Sequence, residues 1–396
     1  MYLTEEEEQI LNGEKGEGLR LAMKTLVQYG DLLRAEKLID ISSGHIVLST
    51  CPPQLELYYN ILDTLISDGC KAKVPTTLDP KFVDLASIFE SNVLKFVSDS
   101  LLQPLAQREF DQKMICLGIM PVYSCTNYYC GNCPNYGEHV AYAESSNVIY
   151  SNSVIGARTN REPAFIDVFS AILGKTPYCG LHLDENRVGD VLVKVKEGTQ
   201  LDYPAIGYYL GETLGNKIPL IEGLPKDCTE WDLKNMGAAS AASGGLALFH
   251  VAGRTPEMLK NDIIASHRPT DILEIDNGVI NDVRERLGPD FDKPDLIMFG
   301  CPHLSPNEIN MLASKFKGKK VTTTVLMFAG EPVLSDVKES VDILKASGVK
   351  FSGCCAMVLG FIFNMTCNAL GDSGKSSYYS GIPYLPTDKC VEACFK

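Results

Sequence analysis

Residues 294–318 read "PDLIMFGCPHLSPNEINMLASKFKG" and place a short apolar run directly before a segment with helical spacing. The run predicts a buried strand, and Ser305 can cap the helix that follows it. The alternation continues along the chain: "KVTTTVLMFA" predicts a second strand, "VLSDVKESVDILKASG" a second helix and "VKFSGCCAMV" a third strand. Strands that alternate with helices of this length predict an α/β fold with a parallel sheet.

The first third of the chain predicts helices with short strands between them. Two segments, "GLRLAMKTLVQYGDLLRAEKLIDI" and "LELYYNILDTLISDG", have apolar residues at helical spacing, and "AKVPTT" predicts a short strand. The apolar run "MICLGIMPVYS", which ends just before Cys125, predicts another strand. We divide the chain into three predicted lobes: an N-terminal α/β lobe (1–145), a middle lobe (146–270) and a C-terminal βαβαβ lobe (271–396).

The composition is that of an ordinary globular protein and narrows the class of partner. The 396 residues are 45% hydrophobic and 22% charged, and they carry a formal net charge of −14. This charge argues against nucleic acid or an anionic membrane as the main partner. The acidic start "MYLTEEEEQ" lacks the layout of a signal peptide, and no apolar run approaches the ~20 residues of a membrane span. We therefore expect a cytoplasmic protein.

Fourteen cysteines are a high number for such a chain, and three of them are closely spaced. Cys125, Cys130 and Cys133 form the pattern C-x4-C-x2-C, which is the first part of the plant-type ferredoxin motif. One hypothesis is therefore an iron–sulfur electron-transfer or cluster-carrier protein, in which this loop and a distant fourth cysteine hold the cluster. In a reducing compartment the other thiols are expected to be buried packing residues, further ligands or catalytic groups.

A second hypothesis takes one thiol from the end of each of three predicted strands. Cys125 follows "MICLGIMPVYS", Cys301 ends "PDLIMFGC", and the pair Cys354–Cys355 lies near the end of "VKFSGCCAMV". Ligands of open α/β sheets bind outside the carboxyl ends of the strands, and so these thiols could converge. Three thiolates around a cubane leave one iron open for a substrate oxygen, and that iron can act as a Lewis acid. Spacing alone does not decide between the two hypotheses.

Several longer motifs occur together and in a fixed order. They are "YSCTNYY", "AESSNVIYSNSVIGARTNREP", "GLHLDENRVGDVLVKV", "GAASAASGGLALFHVAGRTPE", "FGCPHLSPNEI" and "GDSGKSSYYSG". In these segments the chain is similar to the catalytic (large) subunit of the aconitase X family. The resemblance implies an aconitase-like, multi-lobed architecture with parallel α/β sheets around a central iron–sulfur cleft. It also implies a hydro-lyase that removes water from a small hydroxy acid, because members of the family act on (R)-5-phosphomevalonate or cis-3-hydroxy-L-proline.

The resemblance also implies a set of ligands and a partner. The cysteines that match the family's three cluster ligands are Cys125, Cys301 and Cys355, and the cluster would be [4Fe-4S] or [2Fe-2S]. Relatives tend to have Asp-Thr-Cys where this chain has "SGCC", so the choice between Cys354 and Cys355 stays open. Cys130 and Cys133 depart from the family pattern and are expected to be packing thiols; the alternative is that they alter the cluster. Because the chain ends at Lys396, soon after "GDSGK", we expect a separate small subunit that carries the family's swivelling domain.

The chemistry of dehydration selects the remaining candidate residues. Ser373 is the predicted base, and either Lys375 or an arginine is expected to lower the pKa of its hydroxyl. His303 is predicted to contact the cluster or the substrate. The other residues that we predict to bind the substrate are polar and lie in three segments: Ser43 and His45; Thr76 and Thr77; and Asn152, Ser153, Arg158, Thr159, Asn160 and Arg161. The two arginines offer planar forks for a carboxylate or phosphate. The alternatives are a solvated polar loop for the arginines and an ordinary turn for Ser373.

Overall fold

A computed structural model describes residues 1–47, 52–81 and 104–396, without the side chains of 52–56 and 104–107. The described helices are α1 (Glu5–Leu11), α2 (Glu17–Leu32), α3 (Pro52–Ser67), α4 (Pro104–Cys116), α5 (Ser145–Tyr150), α6 (Ile166–Leu173), α7 (Tyr203–Leu214), α8 (Glu230–Gly244), α9 (Pro256–Lys260), α10 (Asp262–Ser266), α11 (Asn277–Leu287), α12 (Pro306–Phe316), α13 (Glu331–Asp336), α14 (Lys338–Ser347), α15 (Ala356–Asn364), α16 (Gly374–Ser380) and α17 (Thr387–Ala393).

The described strands are β1 (Leu38–Asp40), β2 (Ser43–Ile46), β3 (Thr76–Leu78), β4 (Val140–Tyr142), β5 (Lys175–Pro177), β6 (Val191–Val195), β7 (Pro219–Glu222), β8 (His250–Val251), β9 (Asp271–Ile275), β10 (Leu296–Phe299), β11 (Thr324–Phe328), β12 (Lys350–Ser352) and β13 (Ala369–Gly371). Three groups of strands form parallel sheets, and β1 pairs with β5 in an antiparallel ribbon. Parallel strands joined by helices confirm the predicted α/β fold.

The C-terminal sheet has the order β12-β11-β10-β13, and all its pairs are parallel. In its register, Leu296 lies between Thr324 and Ala369. All four residues of β10 are buried, which explains the uninterrupted apolar run in the sequence. Ser305 caps α12 as expected, because its hydroxyl accepts a hydrogen bond from the Glu308 N–H and the Glu308 carboxylate accepts one from the Ser305 N–H.

The predicted strand over 349–358 is wrong in its second half. Strand β12 ends at Ser352, and α15 begins at Ala356 with Cys355 as its N-cap. An apolar run of this length fits a buried helix as well as a buried strand, and its packing against neighbouring apolar side chains selects the helix. The single helix predicted over 333–348 is also divided, because α13 ends before α14 begins at Lys338.

The N-terminal sheet has the order β3-β2-β4, and its strands are short, parallel and buried. The strand predicted over 114–124 is wrong: α4 continues to Cys116, and only Met120 forms an isolated bridge to Thr77. Pro121 lacks the N–H that a strand would need for a longer ladder. Cys125 therefore follows an irregular segment and precedes a short 3-10 helix over Asn127–Tyr129.

The middle sheet has the order β8-β7-β6-β9, and α7 packs against α8 beside it. The two helices approach closely at Gly207, where a Cβ atom would lie 2.0 Å from the Met236 carbonyl oxygen. Strand β9 is hydrogen-bonded to β6, and so residues 271–275 belong to this sheet. Among the helices that the structure describes, none has the length and apolar character that crossing a membrane requires.

Candidate active site

The carboxyl ends of the N-terminal and C-terminal sheets meet around one cavity of about 320 Å³. Val47, Asp79 and Glu144 follow β2, β3 and β4, and Cys301 and Cys355 follow β10 and β12. Cys125, Arg161, His303 and Lys375 also contribute to the cavity wall. This is where parallel α/β sheets bind ligands, because helix N-termini and loops collect at that edge. Cys125, Cys301 and Cys355, the three predicted ligands, therefore line the same cavity.

Each of the three thiols is held by a different local structure. Cys301 comes directly after Gly300, whose φ of +102° and close approach to the Phe328 carbonyl exclude a side chain there. Cys355 is the N-cap of α15, and the Cys125 Sγ accepts a hydrogen bond of 3.3 Å from the His303 N–H. Burial raises the pKa of Cys301 to about 12 and that of Cys355 to about 11, and it raises the pKa of Cys125 well above its usual value.

The arrangement of the thiols suits a cluster better than a single ion. Within the described parts of the chain, no three His, Cys, Asp or Glu side chains converge closely enough to hold one metal ion. Thiolates that bind a cluster attach to different irons, and so they need to surround a volume and not a point. Three cysteines that come from different segments of the chain and line one cavity are consistent with that requirement. Metal binding would deprotonate these thiols despite their burial.

The neighbouring cysteines have other surroundings. Cys354 belongs to an apolar cluster that also contains Phe328 and Leu359, and it does not line the cavity. Cys130 belongs to the apolar core of the C-terminal lobe, and the Cys133 thiol makes a weak contact of 3.7 Å with the Pro134 carbonyl oxygen. Neither side chain is among those that line the cavity.

A buried ion pair forms part of the cavity wall. The Lys375 Nζ donates hydrogen bonds to the Glu144 carboxylate and, at 3.2 Å, to the Ser146 hydroxyl. Glu144 also caps α5, because its carboxylate accepts a hydrogen bond of 2.7 Å from the Asn147 N–H. Burial alone would raise the pKa of Glu144, but the charge and hydrogen bond of Lys375 outweigh it and lower the pKa to about 2. Glu144 is therefore ionised, and the sequence alone left its role open.

His303 is a neutral imidazole with one free ring nitrogen. Burial lowers the pKa of His303 to about 4. Its Nε2 lies 2.9 Å from the Cys354 carbonyl oxygen and must donate the hydrogen bond, because a carbonyl can only accept. The Nδ1 atom is then an acceptor, and it is buried without a hydrogen-bond partner among the described residues. His303 lines the cavity, and this nitrogen is an acceptor that none of the described residues uses.

Ser373 lies behind this wall and is the N-cap of α16. Its hydroxyl donates a hydrogen bond to the Cys301 carbonyl oxygen and accepts one of 3.2 Å from the Ser376 N–H. The hydrogen bonds of the Lys375 Nζ go to Glu144 and Ser146 and not to Ser373. Lys375 therefore lines the cavity directly, while Ser373 reaches it through Cys301.

The two predicted arginines face different surroundings. Arg161 lines the cavity, and its guanidinium makes no hydrogen bond or ion pair with the described residues. Arg158 instead donates a hydrogen bond of 3.1 Å to the His182 carbonyl oxygen and forms an ion pair with Asp184. It does not line the cavity. Of the two guanidinium groups, only that of Arg161 is therefore available to an anion in the cavity.

The other polar residues of the arginine segment hold the backbone. Four side chains form these bonds: Asn152 with Thr159 and Ala247, Ser153 with the Phe249 N–H, Thr159 with the Tyr142 N–H, and Asn160 with the Leu181 N–H and the Cys179 carbonyl. The buried Arg187, which pairs with Glu257, donates further hydrogen bonds to Asn152 and Ala157. The polar side chains of residues 152–160 thus fix the backbone of this segment, and Arg161 at its end lines the cavity.

The N-terminal candidates are buried in their sheet, and His45 contacts the cavity residue Asp79. The His45 Nδ1 lies 2.9 Å from the Thr77 hydroxyl, and its Nε2 lies 3.2 Å from Asp79 Oδ1. Ser43 bonds to the Tyr142 hydroxyl at 2.9 Å, and the Thr76 hydroxyl donates to the Val74 carbonyl. Asp79 itself lines the cavity and was missed, although it stands two residues after Thr77.

Comparisons with known proteins agree with this architecture. Family models described as the aconitase X first, second and third domains match residues 1–185, 189–285 and 294–395. The chain belongs to the aconitase X family. The crystal structure of aconitase X from Thermococcus kodakaraensis in its holo form superposes with a TM-score of 0.85, at 33% identity over 99% of each chain. These matches confirm the predicted family and its aconitase-like fold.

Relatives within the aconitase X family are dehydratases. The phosphomevalonate dehydratase large subunits of Methanosarcina mazei and Thermococcus kodakarensis are 37% and 36% identical, over 96% of this chain and 92% and 95% of their own. The cis-3-hydroxy-L-proline dehydratase of Hypocrea jecorina is 32% identical over 95% of this chain and 65% of its own. Dehydratases are hydro-lyases, and so the predicted class of enzyme is confirmed. The name "large subunit" implies that those relatives have a small subunit.

Proposed function

We propose that Cys125, Cys301 and Cys355 hold an iron–sulfur cluster in this cavity and that the enzyme uses it to remove water from a small hydroxy acid. The observation that carries the proposal is the convergence of these three thiols, from distant parts of the sequence, on a cavity that also exposes Arg161 and Lys375. Three protein ligands leave a position open on the cluster. The chemistry that a bound cluster supplies there is Lewis acidity toward the departing hydroxyl group.

The surroundings of the other thiols favour this site over the ferredoxin-like loop. Cys130 is packed in an apolar core, away from the cavity that Cys125 lines. Cys355 is the third ligand in the proposal, because it lines the cavity, whereas Cys354 belongs to an apolar cluster and does not line it. Electron transfer through the loop would need Cys125, Cys130 and Cys133 to face one cluster together.

The cavity residues divide the remaining tasks among them. Arg161 binds the substrate carboxylate, since a guanidinium can form two parallel hydrogen bonds to it. The positive charge of Lys375 stabilises the negative charge that builds on the substrate as its proton leaves. Ser373 is the proposed base on the family resemblance, and to reach the substrate its hydroxyl has to leave the Cys301 carbonyl oxygen to which it donates a hydrogen bond. The free Nδ1 of His303 accepts a hydrogen bond from the substrate hydroxyl and orients it.

The names of the relatives support two candidate substrates. (R)-5-phosphomevalonate is the first, because the phosphomevalonate dehydratase large subunits match nearly the whole length of both chains. Cis-3-hydroxy-L-proline is the second, on the similarity to the Hypocrea jecorina enzyme. We further propose that the working enzyme includes a small subunit with a swivelling domain and acts in the cytoplasm. The cluster would be [4Fe-4S] or [2Fe-2S].

The test is an anaerobic assay of this chain together with the small subunit from the same organism. Each substrate is supplied separately, and the loss of one water molecule is followed by mass spectrometry. We expect one of the two to be dehydrated by the iron-loaded enzyme and by neither the Cys301→Ala variant nor the large chain depleted of iron. If the iron-loaded pair of subunits dehydrates neither substrate, the proposed function is overturned.

A further inference from the structure

Lys234 is a buried lysine that no step of the proposed reaction uses. It lies in the first half of α8, its side chain is 0% exposed, and it does not line the cavity. Burying a lysine is costly unless its charge is paired and its N–H groups are bonded. The position of its partners therefore indicates what the buried charge does.

The Lys234 Nζ connects α12 to the loop between β10 and α12 (residues 300–305), which carries Cys301 and His303. It donates hydrogen bonds to the Glu308 carboxylate and, at 3.0 Å, to the His303 carbonyl oxygen. Glu308 also accepts bonds from the Ser305 N–H at 2.8 Å and the Asn235 side chain at 3.1 Å. Lys234 therefore binds the loop backbone at the His303 carbonyl, and its partner Glu308 binds it at the Ser305 N–H.

The same loop presents three groups to the cavity side. The His303 N–H donates to the Cys125 Sγ, the His303 ring is bonded to the Cys354 carbonyl, and Cys301 lies two residues earlier. The His303 carbonyl belongs to the same residue as this N–H and ring, and so a change in the backbone angles at His303 would alter the positions of all three groups. Lys234 is the charged group that holds the His303 carbonyl in place.

We infer that Lys234 is a positioning residue for the active site: through the His303 carbonyl, it sets the orientation of His303 and the distance from its N–H to Cys125. The inference rests on the proposed function, because it concerns how the proposed ligands and His303 are held. A pair that only joined α8 to α12 would need the Glu308 contact alone. The additional bond to the His303 carbonyl distinguishes the two roles.

The test compares variants that separate these two contacts. In Glu308→Gln the ion pair is lost, but a glutamine preserves the capping box and Lys234 still reaches His303. In the double variant Lys234→Met/Glu308→Gln no charge is left unpaired and the bond to His303 is removed. Asn235→Ala is the matched control, since Asn235 is the neighbouring residue on α8 and bonds to Glu308 without touching His303.

We expect the double variant to lose kcat by about tenfold or more with KM within about twofold, because small displacements of catalytic groups cost rate steeply. Asn235→Ala is expected to match the wild type, and Glu308→Gln to lose much less kcat than the double variant. A second readout needs no cluster: in the iron-free protein, iodoacetamide should alkylate Cys125 and Cys301 faster in the double variant than in Glu308→Gln. Equal kcat and equal alkylation in those two variants would overturn the inference.

A replacement variant and the activity of the wild type distinguish a failure of this inference from a failure of the proposed function. If the double variant does not fold, Lys234→Gln replaces it, because its side chain is one atom shorter and keeps a donor for Glu308. The same loss of kcat and faster alkylation are expected, and unchanged values of both overturn the inference. An inactive wild type with normal iron content would instead contradict the proposed function, while the alkylation rates would still test the role of Lys234.

Discussion

Lys375 donates a hydrogen bond to Glu144, a residue 231 positions earlier in the chain, and both side chains line one cavity. The contact joins the loop after β4 to the start of α16, and so it links the N-terminal and C-terminal lobes across the proposed site. Both groups are almost fully buried, with 8% and 9% of their side chains exposed. A charge in such a place depends on its partner, because water cannot replace it.

Glu144→Gln should destabilise the protein by roughly 3 kcal/mol at neutral pH, because it leaves the Lys375 charge buried without a counter-charge. The measurement is urea unfolding of the iron-free protein. Asp342→Asn is the control: it breaks an exposed ion pair with Lys338 and should cost less than about 1 kcal/mol. Equal effects of the two substitutions would contradict the prediction.

The pH dependence of that difference has a definite sign. The pKa of Glu144 is lowered from 4.5 to about 2 in the folded protein. The unfolded chain therefore binds this proton more readily, and the stabilisation is complete above pH 4.5 and is lost as the pH falls toward 2. Unfolding curves of wild type and Glu144→Gln should accordingly draw together over this range. A constant difference would show that the ionised carboxylate is not its source.

Substitution of single cysteines should identify the ligands. Cys301→Ala is expected to lose bound iron and acid-labile sulfide, whereas the double variant Cys130→Ala/Cys133→Ala should keep both, because those two thiols lie outside the cavity. Cys354→Ala should likewise keep its iron and Cys355→Ala should lose it. Iron and sulfide per chain are measured on anaerobically purified protein. Loss of the cluster in the double variant would instead favour the ferredoxin-like loop.

Arg161→Lys should lower kcat/KM by about tenfold or more, since a lysine cannot replace the two parallel hydrogen bonds of a guanidinium to a carboxylate. Arg158→Lys is the matched control, three residues away. Its ion pair with Asp184 lies outside the cavity, and so kcat/KM should change less than about threefold. Steady-state kinetics with the identified substrate would measure both. A larger loss in Arg158→Lys would reverse the assignment of the two arginines.

Ser373→Ala should reduce kcat by about a hundredfold or more if the hydroxyl acts as the base. Ser377→Ala provides the control, because Ser377 lies on the same helix and its hydroxyl bonds to the Ile382 carbonyl. Both variants should retain the cluster, which iron analysis would verify. Full activity in Ser373→Ala would remove Ser373 as the base and leave the helix cap as its role.

Glu162 should make the protein less stable as the pH rises. Burial raises its pKa from 4.5 to about 7, and its Oε2 has no hydrogen-bond partner among the described residues. The folded state therefore holds this proton more tightly than the unfolded chain, and stability falls by roughly 3 kcal/mol as the pH rises from 4.5 through 7. Urea unfolding at pH values on both sides of this range should show a smaller decrease for Glu162→Gln than for wild type. The same decrease in both would refute the prediction.

The sequence alone was sufficient to predict features that depend on neighbouring residues, such as strands and helix caps, and to identify the family from its long motifs. The uninterrupted apolar run of β10 and the cap at Ser305 predicted the strand and helix that the structure contains. The ordered motifs identified the aconitase X family and with it the class of enzyme. The lobe boundaries at 145 and 270 and the roles of individual site residues stay predictions.

Only the tertiary structure decided which of several equivalent neighbours faces the cavity. Arg158 and Arg161 have the same chemistry, and Cys354 and Cys355 are adjacent, but in each pair only the second lines the cavity. The pairing of Glu144 with Lys375 and the choice of helix for α15 likewise depend on distant packing partners. The physical reason is common to all of them: the direction of a side chain and the burial of a charge are set by contacts with residues distant in the sequence, which short sequence patterns do not encode.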